Sequence, residues 1–279
     1  MIKVSIIIPT FNRIERLSRA VKSVLNQQLD SFEIIIVDDY TLDQTQKIKI
    51  IFDGIPEVNV VKSWKHSPSG ARNIGVLSAK GEYITFLDDD DVYLEGRLKN
   101  MLSYFESCKE ELSFVSSGRI FEVNDFEEIY NDNSQKFGKI VLDDVLTNNG
   151  IDIGFLMKRS FFLKLNGFDE SLSSLEDWDI IIRALLVFDG YKLKRLDYAV
   201  NSESDRDRVS NNQEITRNNL ADKFKYKFGK KWYFENKFRG GCESGNFDPV
   251  IFIKTFFYCK KIITLKIALR YLIKRGNSL

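Results

Sequence analysis

Residues 83–91 read Tyr83-Ile84-Thr85-Phe86-Leu87-Asp88-Asp89-Asp90-Asp91. The apolar run suits a buried strand, and such a strand does not carry four carboxylates inward. The acids therefore belong at its C-terminal mouth, where the chain leaves the sheet. Clustered carboxylates repel one another unless something cationic lies between them. Oxygen-only ligands suit a hard divalent cation such as Mg²⁺ or Mn²⁺, which keeps positions open for further oxygens, a diphosphate among them. The same run also fits a solvated acidic turn that caps the next helix.

Upstream, strand and helix patterns alternate. Val4–Ile8, Glu33–Val37 and Val58–Val61 read as buried strands. Between them, Ile14, Leu17, Val21, Val24 and Leu25 recur at helical spacing, and a more polar helix is expected over Gln44–Phe52. Pro68–Lys80 reads as a helix stopped by Gly81. This alternation predicts an α/β protein with a mostly parallel, Rossmann-like central sheet flanked by helices. Ligands of such sheets bind outside the carboxyl ends of the strands. Three strands end there in polar residues: Pro9-Thr10-Phe11-Asn12-Arg13, Asp38-Asp39 and Asp88–Asp91. Convergence on one edge is a stronger signal than the aspartates alone.

Downstream of Arg97 the pattern predicts a helix over Leu98–Glu110, a strand over Leu112–Ser116, a loop or hairpin over Glu122–Ser134 and a strand over Ile151–Met157. A short helix, Arg159–Leu165, stops at Asn166-Gly167, and a stronger one spans Glu176–Phe188 with acids in its first turn.

The composition is that of a globular protein: 279 residues, 43% hydrophobic and 29% charged. The net charge of +1 conceals a split. Residues 217–279 hold 15 Lys/Arg against 4 Asp/Glu, whereas residues 1–216 hold 26 against 36. An acidic body with a basic tail predicts an anionic partner for the tail. Three scattered cysteines form neither a disulfide framework nor a metal-ligand spacing, and with no signal-peptide pattern they predict a cytoplasmic setting. A single histidine, His66, argues against a zinc-histidine site or a Ser-His-Asp hydrolase.

Taken together, Ser5–Arg13, Val37-Asp38-Asp39, Gly70-Ala71-Arg72-Asn73, Phe86–Asp91, Gly167-Phe168-Asp169-Glu170 and Glu176-Asp177 resemble, in order and spacing, the family-2 glycosyltransferases of GT-A fold, a group that includes many bacterial polysaccharide enzymes. The resemblance covers roughly residues 3–190. It implies a glycosyltransferase domain over 1–215, with a nucleotide-binding half (1–97) and an acceptor-binding half (98–215), followed by a basic helical extension over 216–279.

The resemblance also implies roles. Pro9, Thr10 and Asn12 line a nucleoside pocket, Asp39 accepts from a uracil imide, and Arg72 meets the diphosphate or donor sugar. Asp88 and Asp90 match the ends of the family's DxD signature: Asp90 is expected to ligate Mn²⁺ or Mg²⁺, and Asp88 to hold ribose or sugar hydroxyls. Asp89 is the variable middle residue, and in the alternative register it shares the ligation. Asp91 is expected beside the metal or capping the next helix. Asp177 matches the base that takes the acceptor proton, and Asp169, Glu170 and Glu176 fall on the acceptor side. Arg206, Arg208 and Ser210 are candidates in a loop over the donor.

The expected reaction is therefore inverting transfer from a UDP-sugar to a hydroxyl of a lipid-linked saccharide, on a polyprenyl diphosphate. It forms a β-linkage in O-antigen or capsule synthesis. The aromatic and lysine mixture of Val250–Arg275, with Lys266, Arg270 and Lys274 on one helical face, suits contact with the inner surface of a bacterial plasma membrane rather than with nucleic acid, and suits equally a terminal helix packed on the body with its basic face in solvent. Two other classes compete. A nucleotidyltransferase would need a glycine- and lysine-rich loop where Pro9–Asn12 stands. A non-catalytic sugar-nucleotide-binding protein of the same fold is the other.

Overall fold

The computed structural model describes residues 2–202, 213–244, 246 and 248–259. The chain divides into two compact units. The first is Met1–Glu170 with Glu176–Arg206, and the second is Ser171–Leu175 with Asp207–Leu279.

In the first unit, β1 (Val4–Thr10), β2 (Phe32–Asp38), β3 (Val58–Lys62) and β4 (Tyr83–Phe86) form a parallel sheet, joined by α1 (Ile14–Leu25), α2 (Leu42–Ile51) and α3 (Pro68–Ser78). Their sequences explain them. Ile6, Ile7, Ile8, Ile34, Ile35 and Ile36 are fully buried, each worth about 1.5–3 kcal/mol relative to exposure. α2 starts at Thr41, whose hydroxyl accepts from the Gln44 amide, and α3 starts at Ser67, which does the same for Gly70 ahead of Pro68. Such caps contribute on the order of 1 kcal/mol each.

The sheet order is β3-β2-β1-β4-β9, where β9 (Met157–Lys158) runs antiparallel to β4. The strand expected over Ile151–Met157 is thus reduced to this short edge piece. Residues 152–154 instead turn around a buried guanidinium. Arg97, at the start of α4 (Arg97–Ser107), binds Asp152 (3.0 Å), Asp197 (3.0 Å) and the Gly154 carbonyl (2.8 Å), and lies against the adjoining rings of Tyr93 and Tyr198.

A second sheet was not anticipated. It joins β5 (Val92–Tyr93), β6 (Val115–Val123) and β7 (Glu128–Asn131) to β8 (Gly138–Ile140) and β10 (Gly190–Asn201), in the order β5-β10-β6-β7 with β8 against β10. The β6–β7 pair is the hairpin reading of Glu122–Ser134. Residues 92–93 serve the second sheet and 157–158 the first, so the expected halves, 1–97 and 98–215, interleave. α5 (Leu142–Val145), α6 (Arg159–Lys164) and α7 (Glu176–Leu185) complete this unit.

In the second unit, α8 (Gln213–Glu243) is broken at Gly229, whose backbone (φ +76°, ψ 179°) is one that glycine alone adopts cheaply. α9 (Pro249–Cys259) packs on α8, where the Thr255 hydroxyl donates to the Phe234 carbonyl. The basic helix expected around Lys266, Arg270 and Lys274 lies outside the described residues, as do Arg206, Arg208 and Ser210. Among the described residues, no helix is long and apolar enough to cross a membrane.

Candidate active site

Because β1 to β4 are parallel, their C-terminal ends share one edge. Asp38 and Asp39 divide the work there. Asp38 is fully buried and fastens α2, accepting from the Gln44 amide nitrogen (3.0 Å) and the Thr45 hydroxyl (2.5 Å). Asp39 uses one oxygen to accept from the Ser67 backbone amide (2.9 Å). Its other oxygen, Oδ1, is buried without a hydrogen-bond partner. An orphaned carboxylate oxygen is costly, and it fits a ligand that presents an N–H. Pro9 sits in β1 opposite Val37, while Asn12 holds a left-handed turn (φ +56°) at the exposed end of that strand.

The four aspartates have separate surroundings. Asp88 is half-exposed and accepts from Arg72 Nη2 (2.6 Å). Asp89 is buried and accepts from the Thr10 hydroxyl (2.7 Å). Burial pushes its carboxyl up to about 6, against the pull of that hydrogen bond. Asp90 pairs with Arg13 Nη1 (2.9 Å), which also reaches Asp89 (3.4 Å). Asp91 neither caps a helix nor faces the mouth: it accepts from the Tyr198 hydroxyl (2.8 Å) and the Asn201 amide (2.9 Å). It ties the acidic turn to the end of β10, and burial raises its carboxyl well above the usual range.

The Arg72 side chain, expected at the diphosphate or the donor sugar, is buried and spans two carboxylates, Asp88 and Glu176, each at 2.6 Å. Burial opposes its charge, and the two acids overcome that and raise its affinity for the proton. Asn73, next on α3, holds the Phe168 backbone from both sides: its Nδ2 donates to the carbonyl (3.0 Å) and its Oδ1 accepts from the amide (2.9 Å). Asn73 and Lys65 also donate to Glu170, whose carboxyl they hold below the usual range. Two motifs some ninety residues apart in sequence are thereby one piece of structure. Gly167 has φ +66°, and a Cβ there would meet Asn73 Oδ1 at 2.7 Å. Asp169 follows in this segment, partly exposed.

Asp177 opens α7 beside Glu176. One of its oxygens accepts from the Trp178 amide (2.7 Å), the other from Asn149 Nδ2 (2.9 Å). Burial and then the Glu176 charge push its carboxyl up to about 7. Asn149 was not singled out from the sequence. Its loop is docked by Trp178, whose indole donates to the Val145 carbonyl (2.7 Å), and by Lys192, which donates to the Gly150 carbonyl (2.7 Å). The one sequence sign was a lysine within a strand-like alternation.

A family model described as glycosyl transferase family 2 matches residues 5–165. The chain belongs to that family. This family-2 chain is 31% identical over 175 residues to an uncharacterized glycosyltransferase of Rickettsia conorii, a match that takes 63% of the chain but only 29% of the relative's length. It is 39% identical over 105 residues to the GalNAc(5)-diNAcBac-PP-undecaprenol beta-1,3-glucosyltransferase of Campylobacter jejuni, covering 37% of the chain and 34% of that protein. The chain thus spans about a third of these curated relatives. Its fold is that of S. aureus TarS 1–349, crystallised in complex with UDP-GlcNAc: TM-score 0.66 at 16% identity, over 86% of this chain and 73% of that one. The family-2 chain therefore has the GT-A fold.

The donor set at the aspartates is oxygen only. Among the described residues, no three or more His, Cys, Asp or Glu side chains are grouped to hold an ion unaided. Asp88 and Asp90 are each paired with an arginine, Arg72 and Arg13, so a divalent ion held at Asp90 would take a single carboxylate and complete its shell from phosphate oxygens.

Proposed function

We propose that the chain moves a sugar from a UDP-sugar to a hydroxyl of a lipid-linked saccharide, with inversion to a β-linkage, in bacterial surface polysaccharide synthesis. The observation that carries this reading is the Asp88–Arg72–Glu176 strut, built on a buried arginine, which links the donor-side acids to the residue beside the base. Asp39 Oδ1 supplies the acceptor for a uracil imide. Thr10 steadies Asp89, and Asp88 meets ribose or sugar hydroxyls. Asp177, poised near neutral pH, takes the acceptor proton as the hydroxyl attacks the anomeric carbon from the face opposite the diphosphate. A divalent cation bound at Asp90 would supply Lewis-acid stabilisation of charge on the leaving diphosphate. The name of the Campylobacter relative supports a β-linkage and a polyprenyl-diphosphate acceptor, and the TarS complex supports the donor.

Contact with a membrane belongs to the same reading. Val250, Ile253 and Phe257 lie at i, i+3 and i+7 on α9, all exposed, with Lys254 beside them.

The test is turnover of a panel of nucleotide sugars, with Mn²⁺, with Mg²⁺ and with EDTA, using a GlcNAc-diphosphate-lipid analogue as acceptor. Metal-dependent consumption of one UDP-sugar to a β-linked product is expected. An α-linked product or EDTA-insensitive transfer would remove the inverting or the metal-dependent part of the reading. Stabilisation by UDP without transfer to any acceptor would favour the non-catalytic alternative.

A further inference from the structure

Arg13 is a cation that stands at the aspartate cluster beside Asp89 and Asp90, as Arg72 stands beside Asp88. Its Nη1 lies 2.9 Å from Asp90 Oδ2 and 3.4 Å from Asp89 Oδ1. The two carboxylates are nearly buried, with side-chain exposures of 9% and 6%, whereas the arginine remains 43% exposed. The buried partners are therefore fixed and the guanidinium is the movable member. Arg13 is the N-cap residue of α1, yet its side chain makes no cap hydrogen bond, and the left-handed turn at Asn12 presents it to the mouth. Asp89 accepts from the Thr10 hydroxyl as well, at 2.7 Å.

A divalent ion on Asp90 would stand about 2.0–2.1 Å from a carboxylate oxygen. On Oδ2, the oxygen that meets Arg13, the ion would share its ligand with a guanidinium nitrogen, and the repulsion of two cations so close weakens the hold of both. Arginine forms forked, charge-assisted bonds with phosphate oxygens, so a diphosphate arriving at this edge gives the displaced guanidinium an anionic partner.

On the metal-dependent reading above, we propose that Arg13 is the resident counter-cation of Asp89 and Asp90. It excludes a free divalent ion and yields its place only when a nucleotide diphosphate arrives with the ion. Arg13 is then a positioning residue that makes metal binding conditional on the donor.

The experiment is a titration of Mn²⁺, read by loss of the free-ion EPR signal, on the full chain. Wild type, R13A, R13Q and the double variant R13A/D90N are compared without nucleotide, and wild type also with UDP. The expected result is weak binding to wild type alone, tight binding with UDP, and a gain of about tenfold or more in R13A without nucleotide. That gain should disappear in R13A/D90N. R13Q, which keeps a polar side chain but drops the charge, should show the same gain and serves if R13A does not fold. If wild type with UDP binds Mn²⁺ but neither Arg13 variant binds it more tightly alone, the role of Arg13 is refuted and metal dependence stands. If no protein binds Mn²⁺ even with UDP, both readings fall.

Discussion

Asp177 carries an unusual burden for a carboxylate: a dense site and an acidic neighbour raise it to about 7, while two hydrogen bonds favour its charge. A base must be deprotonated to work, so turnover should rise with pH through about 7 and level off above it. D177N should reduce turnover by about 10²-fold or more while leaving UDP-induced stabilisation intact. The stability sign runs the other way. A carboxyl raised in the folded state binds more protons there than in the unfolded chain, so its contribution is present at low pH and fades as pH rises through about 7. D177N should therefore have the higher Tm of the two proteins at pH 8, a difference that shrinks toward pH 5. A pH-independent rate would remove Asp177 from the role of base.

Among elements, the loop over residues 146–150 and the Gly167–Glu170 segment set where the site's groups stand. N149A removes a donor that favours the ionised Asp177, so its pH–rate midpoint should move upward and kcat should fall with the donor KM little changed. An unchanged midpoint would reduce Asn149 to packing. G167A forces a left-handed alanine against Asn73 and should cost about 1–3 kcal/mol in denaturant unfolding. The sequence shows such elements unevenly. β1, β2 and β4 announce themselves because strands buried on both faces are continuously apolar. β10 hides because Lys192, Lys194, Arg195 and Asp197 interrupt it, and two of these are buried with polar partners. The acids at the mouth were legible as residues, since composition and strand ends expose them. Their partners were not: Arg72 to Glu176 and Asn149 to Asp177 are pairings across long stretches of chain, which spacing does not encode.

For the whole molecule, the charge split read from the sequence meets an apolar stripe on α9. I253D/F257D should abolish co-sedimentation with vesicles containing anionic lipid and leave transfer to a soluble acceptor analogue unchanged. Equal sedimentation of variant and wild type would remove α9 from membrane contact. The interleaved sheets bear on synthesis as well. β4 is the last parallel strand of the first sheet, and among the described residues its outer edge at Tyr83 and Ile84 pairs with Met157 and Lys158. A ribosome adding about 5–20 residues per second leaves that apolar edge open for several seconds after β4 emerges. During that interval the nascent chain offers unpaired backbone to its neighbours, a hazard that edge strands bring to aggregation. Expression of residues 1–97 alone would make the interval permanent.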